Sequence, residues 1–361
     1  MTAIAAGNAT DAQFYAARAG RLLNGKPLAL LMQAQAAEMR GDAAAARGYF
    51  QAMLSAPETE FLGLRGLLTQ AVRQGDAGYA GRLVDRAMLL QPKSPWLIRQ
   101  KFELECAAGA WPQARETLGR AVQTKLITRP ERNRRQALLA YAEAREALDR
   151  GGDTDALAQA QAALKGAPDL VPAAVLAAQL LAHEGKVDKA ARVLEKSWSA
   201  APHPDLASAY KALLPHESPA QTVVRLRKLI AANPQHVESR LLGAEAALAA
   251  GETARARELL LPLADAGGGA NANRRACLLM AQVVRAQGTG EPEAQHWLAR
   301  ASHAAPDPGW HCAACGKQAP EWRMTCLACG EFDQLFWGPG ATALAAESGR
   351  APGLLAQGAP L

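Results

Sequence analysis

Glycine recurs in this chain at a fixed interval. Gly7, Gly41, Gly75 and Gly109 are spaced by 34 residues, and the register resumes at Gly151, at Gly185 and, 66 residues later, at Gly251. Alanine stands five residues after every one of them, at Ala12, Ala46, Ala80, Ala114, Ala156, Ala190 and Ala256. A second alanine follows at Ala19, Ala87, Ala121 and Ala163, and proline closes the unit at Pro92, Pro168 and Pro202. Each position has a physical reading. Glycine ends a helix in a left-handed turn that other residues resist. Alanine lets the next helix cross its partner closely. Proline cannot continue a helix and so opens the next unit. A period of about 20–50 residues is the signature of stacked supersecondary units, each touching only its neighbours. Composition agrees: 49% of residues are apolar but only 5% aromatic, so the apolar share is mostly Ala and Leu, which favour helix. The Val, Ile and aromatic content of a β-sandwich is missing.

A 34-residue helical period with Gly, Ala and Pro in these places resembles the tetratricopeptide repeat. The predicted fold is all-α, a superhelical solenoid of about eight helix pairs between Lys26 and Ala305. A degenerate pair is centred near Glu217 and closed by Pro234, and a last pair is centred near Thr289 after the linker ADAGGGANAN. Eight residues are inserted before Arg134, in TKLITRPERN. The expected organisation is an orphan half-repeat at 1–25, the chain beginning mid-repeat, then a solenoid at 26–306, a metal module at 307–338 and a disordered Gly/Ala/Pro-rich tail at 339–361.

The segment after the repeats changes character. Five aromatics (Trp310, Trp322, Phe332, Phe336 and Trp337) fall within 28 residues, alongside two Cys-x-x-Cys-Gly units, Cys312/Cys315 and Cys326/Cys329. Such spacing places four thiolates on one metal, and Gly316 and Gly330 let the backbone turn beneath the sulfurs. About 30 residues cannot bury enough surface to fold alone, so the metal supplies folding free energy. Zinc is the expected ion, as in a zinc ribbon, with iron the alternative for a rubredoxin-like four-cysteine site. A closed four-thiolate shell leaves no position for substrate and reads as structural. His311 reads as a surface residue, and Cys106 and Cys277, isolated in apolar helical text, as buried thiols.

Forty Lys+Arg against 34 Asp+Glu give a formal charge of +6, spread along the chain rather than gathered in a stripe. In the metal module Lys317 and Arg323 stand against Glu321, Glu331 and Asp333, which disfavours nucleic acid. No phosphate loop, nucleophile elbow, two-His zinc helix or dinucleotide fingerprint occurs, so the chain reads as non-enzymatic. No run of 18 apolar residues is present to span a membrane. No signal peptide is evident, and without extracellular context the cysteines point to a reducing compartment.

In tetratricopeptide repeats the first helix of each pair lines a concave groove. Counting back from each helix-ending glycine gives Arg65 and Thr69, then Trp96, Arg99 and Glu103, then Tyr141 and Arg145, then Gln179. Arg65, Trp96, Arg99, Tyr141 and Arg145 are the candidate partner-binding residues, a mildly basic, aromatic surface suited to an acidic or extended peptide or a haem propionate. Arg134–Arg135 and Arg274–Arg275 each open a first helix, where cations oppose the helix dipole.

Helical repeats ending in a four-cysteine module resemble the HemY family of α-proteobacteria, through FLGLRGLL (61–68), PWLIRQ (95–100), RVLEKSWSAAPHPDLA (192–207), NPQHVESRLLGAEAAL (233–248) and the terminal CAACG…EW…CLACGEFD. The resemblance covers nearly the whole chain. It implies a scaffold associated with haem (tetrapyrrole) synthesis, held at the cytoplasmic face of the inner membrane by upstream helices. The chain itself would be soluble and cytoplasmic. A haem- or porphyrin-binding chaperone is the alternative. The layout is also similar to lipopolysaccharide assembly protein B, which implies an adaptor presenting an envelope-biosynthesis enzyme to a membrane protease.

Overall fold

The computed structural model describes residues 8–339, apart from 24–26, 124, 126, 266–271 and 289. Gly7, most of the Gly-rich linker, Thr289 and residues 340–361 of the predicted tail lie outside the described residues. Seventeen helices precede three short strands among the described residues. After α1 (Ala9–Leu23) the helices run in pairs: α2 (Pro27–Met39) with α3 (Ala43–Met53), α4 (Pro57–Gln74) with α5 (Ala77–Leu90), and α6 (Pro95–Ala107) with α7 (Trp111–Gln123). Then come α8 (Arg129–Asp149) with α9 (Asp153–Gly166), α10 (Val171–His183) with α11 (Val187–Ala200), and α12 (Pro204–Ala212) with α13 (Pro219–Ala231). The last pairs are α14 (Val237–Ala249) with α15 (Thr253–Ala264) and α16 (Arg274–Gln287) with α17 (Glu291–His303). This is the all-α tetratricopeptide-repeat fold. The helices fall into two compact units, divided between Arg132 and Asn133.

The repeating glycine does what its position requires. Gly41, Gly75, Gly109, Gly151, Gly185 and Gly251 all have φ between 69° and 80°. The chain there folds back on the helix it has just left: Gly75 N–H donates to Val72 O at 3.1 Å and Asp76 N–H to Ala71 O at 3.0 Å. Paired bonds of this kind satisfy carbonyls that a helix end leaves open. The following Asp76 then caps the next helix, its carboxylate accepting from Tyr79 N–H at 2.9 Å. Five residues past each glycine, Ala46, Ala80, Ala114, Ala156, Ala190 and Ala256 have no exposed surface.

Two departures from the period are absorbed locally. The inserted residues lengthen α8 to 21 residues, against 13 and 14 for α7 and α9. The degenerate pair has a nine-residue first helix, α12, and replaces glycine with a turn closed by a capping box, Ser218 with Gln221.

The first unit buries Leu64, Leu67, Leu68, Val84 and Leu97. The second has one cluster around Leu194, Trp198 and Tyr210 and another around Cys277, Met280 and Val284. Trp198 donates its indole N–H to Ser239 Oγ at 3.0 Å, satisfying a fully buried polar atom. Beyond α17, β1 (Gly309–Cys312) is the middle of a three-stranded antiparallel sheet, flanked by β2 (Gln318–Ala319) and β3 (Leu335–Gly338). No helix among the described residues is long and apolar enough to cross a membrane.

Candidate metal centre

Each cysteine pair sits on a tight turn of the same construction. In the first, Gly316 N–H donates to Cys312 O at 2.8 Å, and in the second Gly330 N–H donates to Cys326 O at 2.9 Å. Both glycines are left-handed, with φ 72° and 76°. The residues that close each turn reproduce the symmetry: Cys312 N–H reaches Lys317 O at 3.0 Å, and Cys326 N–H reaches Glu331 O at 2.9 Å.

The two turns face each other. All four sulfurs lie within 4.8 Å of one another, with Cys312 Sγ 3.7 Å from Cys329 Sγ and Cys315 Sγ 3.9 Å from Cys326 Sγ. A tetrahedron of metal–sulfur bonds of about 2.3 Å has sulfur–sulfur edges of about 3.8 Å, so this quartet could hold a metal ion. Cys312 and Cys326 are buried, Cys315 and Cys329 exposed. Burial alone would raise the Cys326 thiol, but hydrogen bonds from the backbone at Ala328 and Cys329 and from neighbouring thiols bring it down to about 7. Burial raises Cys312 and Cys329.

The sheet and its aromatics do not sit as a plug beyond the last repeat, as a module following α17 would suggest. They pack against the first helices and inter-repeat turns of the second unit. Arg134 on α8 forks onto Asp333, Nε to Oδ2 and Nη2 to Oδ1 both at 2.9 Å, while its Nη1 reaches Asp169 at 3.2 Å. Burial works against the Arg134 charge, and the two carboxylates outweigh it, holding the pKa above the usual value. Trp322 meets Tyr141 edge-on at 5.6 Å, so the candidate groove position at Tyr141 is covered by the module. Burial, partly offset by Arg145, raises the Tyr141 hydroxyl pKa.

His203 anchors the seam. Its ring stacks on Trp310 at 5.1 Å and meets Trp337 at 4.2 Å. It caps α12, with Nδ1 accepting from Asp205 N–H at 3.1 Å, which leaves the proton on Nε2, buried without an acceptor. Burial lowers its pKa to about 4, although Asp205 pulls the other way. Between these groups the seam leaves a cleft of about 450 Å³, walled by Trp310, Trp322 and Trp337 on one side and by Val171, Pro202 and His236 on the other.

His311 is a correction to the sequence reading. It is 7% exposed, because its strand is buried on both faces, and its ring lies 6.2 Å from that of Phe336 on the paired strand. The basic doublets also find partners within the chain. Arg134 holds the module, and Arg275 reaches Glu238 at 2.9 Å and Glu245 at 3.4 Å. Arg134 sits in the second turn of α8 rather than opening it, because residues 129–133 of the inserted stretch are helical. Cys106 and Cys277 are buried.

In the first unit, the Arg65 guanidinium lies over the Trp96 ring at 5.3 Å and Arg99 is exposed on the same helix as Trp96. Arg65, Trp96 and Arg99 thus belong to the first unit, Tyr141 and Arg145 to the second. Sequence reasoning missed His203 and Asp333. The only signals were a His before Pro and an Asp in the metal module, neither of which carries a periodicity.

No protein-family profile matches the chain, and no curated protein does. Solved structures do. The structure of Naa15/Naa10 bound to HypK-THB is 14% identical with a TM-score of 0.54, over 83% of this chain and 48% of that one, so the chain spans about half its length. A tetratricopeptide repeat protein from Parabacteroides merdae is 13% identical, over 67% of this chain and 98% of that one, at a TM-score of 0.33. YrrB, a TPR protein with an unusual peptide-binding site, is 14% identical, over 53% and 95%, at 0.31. At these identities the likeness is one of fold.

Proposed function

We propose that this protein is a non-enzymatic interaction scaffold whose repeats take a protein partner and whose four cysteines hold a structural zinc ion. The observation that carries it is a cluster of the first unit: Arg65 over Trp96, with exposed Arg99 nearby on α6, and no ion pair to a carboxylate at either arginine among the described residues. A half-buried indole beside two uncompensated guanidinium groups suits an acidic segment, because Arg binds carboxylates bidentately and aromatics anchor interfaces. Cys312, Cys315, Cys326 and Cys329 would ligate the zinc. The ion would supply folding free energy to a sheet of only ten strand residues. The resemblance to the HemY family adds the finer reading: the scaffold serves haem (tetrapyrrole) synthesis at the cytoplasmic face of the inner membrane, with membrane attachment through upstream helices.

The test is co-purification from native membranes with the full-length gene. Arg65→Glu combined with Arg99→Glu is expected to lose a partner that the unaltered protein retains. Retention of every partner would remove the groove assignment. Titration with haem separates a pathway scaffold from a haem carrier: a stoichiometric Soret shift would favour the carrier.

A further inference from the structure

One face of the second unit is covered by the chain's own acidic and aromatic residues. Residues 331–337, Glu-Phe-Asp-Gln-Leu-Phe-Trp, run from the second cysteine turn through β3. Asp333 from this segment enters the fork of Arg134, and Trp337 meets His203. Trp322, from the stretch between β2 and the second cysteine turn, covers Tyr141. Asp333 holds φ at 52°, a left-handed conformation that non-glycine residues adopt seldom. That conformation points its carboxylate at an arginine 199 positions away in sequence. The receiving side is complementary. It offers the Arg134 guanidinium, exposed Arg145 one turn beyond Tyr141, and the rings of Tyr141, His203 and His236. Among the described residues, the acidic group on the repeats that pairs with Arg134 is Asp169, and its contact is the longer.

We infer that this face is a receptor for an acidic-aromatic protein segment, occupied in cis by residues 331–337, and that a partner segment of the same chemistry displaces the module to bind. The inference rests on the scaffold reading and names the partner class for the second unit. Tethering raises the effective concentration of the resident segment to the millimolar range, so a competing segment meets a closed face until the module lets go. Arg134 and Tyr141 therefore switch between an internal and an external ligand, and the module acts as the gate.

The probe is a synthetic peptide of residues 331–336, Glu-Phe-Asp-Gln-Leu-Phe, which lacks tryptophan, labelled for fluorescence anisotropy and titrated into the full chain. In the double variant Trp322→Ala with Asp333→Ala, neither residue is a cysteine and metal content reports that the knuckles remain folded. That variant is expected to bind the peptide about ten-fold or more tighter than the unaltered chain. Adding Arg134→Glu to it is expected to abolish that gain. Equal binding by the unaltered and undocked chains, or indifference to Arg134→Glu, would overturn the inference. A second measurement needs no variant: millimolar unlabelled peptide added to the unaltered chain is expected to shift tryptophan emission to the red as Trp310, Trp322 and Trp337 leave the seam. An unchanged spectrum at saturating peptide counts against displacement. A chain that loses a partner through Arg65→Glu and Arg99→Glu yet ignores the peptide would leave the scaffold reading standing and overturn only the gated face.

Discussion

At the residue scale, single side chains here answer to backbone conformation and to burial, and the two give different predictions. Gly75 sits at φ 73° with open space where a Cβ would go, so Gly75→Ala meets no neighbour and loses only conformational ease. The expected cost is about 1–2 kcal/mol. Gly48, inside α3 with equally open space and no positive φ, is the control, and Gly48→Ala is expected to stabilise by about 0.5–1 kcal/mol. Urea denaturation of both variants checks the sign. Ala80 has no exposed surface, and overpacking with Ala80→Leu is expected to cost about 1–3 kcal/mol. His203 is governed by burial. Its pKa is lowered from 6.5 to about 4, so the docked state favours the neutral ring. The contribution of His203 to docking is therefore full above pH 6.5 and is lost as pH falls from there towards 4, because the undocked ring takes up a proton first. Tryptophan emission followed from about pH 7.5 to 4 should show this transition in the unaltered chain. His203→Phe should flatten it, and identical profiles would remove His203 from the seam.

At the element scale, the period was legible because its positions are local. A left-handed glycine and an alanine at a helix crossing leave their mark on the residues that make them, and each of the six described repeat glycines is left-handed with its alanine buried. The paired cysteines were legible for the same reason: spacing alone puts two sulfurs on one turn. What the sequence left hidden is non-local. The fork from Arg134 to Asp333 and the stacking of His203 on Trp310 join residues that no periodicity links, and the burial of His311 follows from a strand covered on both faces. The length of α8 shows the same limit, since an insertion reads equally as loop or as added turns. Packing between elements makes its own prediction at Gly63, where α4 crosses α3 so closely that a Cβ would lie 2.6 Å from Phe50 O. That contact is with backbone, which cannot step aside cheaply. Gly63→Ala should destabilise the first unit by about 1–3 kcal/mol even though its φ permits any residue, and a thermal melt no lower than that of the unaltered chain would contradict it. Cys326→Ser should lower metal content and abolish the cooperative tryptophan transition of the sheet, because three thiolates and a hydroxyl do not close the shell.

At the scale of the molecule, a repeat stack is held by nearest-neighbour contacts, so its stability is close to a sum over adjacent pairs. The second unit breaks that rule at one place. The module ties α8 and the turn before α12 to a single sheet, through Arg134 and His203, and Arg134 in turn reaches Asp169 in the turn before α10. Those three sites belong to three successive repeats, so the sheet acts as a brace across them. If the metal holds the sheet, removing it takes away the brace without touching any helix–helix interface. The α16–α17 pair is secured by its own core, with Cys277, Met280, Val284 and Ala294 fully buried, and among the described residues carries none of the ring contacts or ion pairs of the seam. Chelation followed by amide exchange is therefore expected to raise exchange at the start of α8 and around 167–171 and 201–206, while α16 and α17 keep their protection. Uniform loss across the second unit would mean that the metal stabilises the stack as a whole. Loss confined to residues 309–338 would mean that the module folds on the repeats without bracing them.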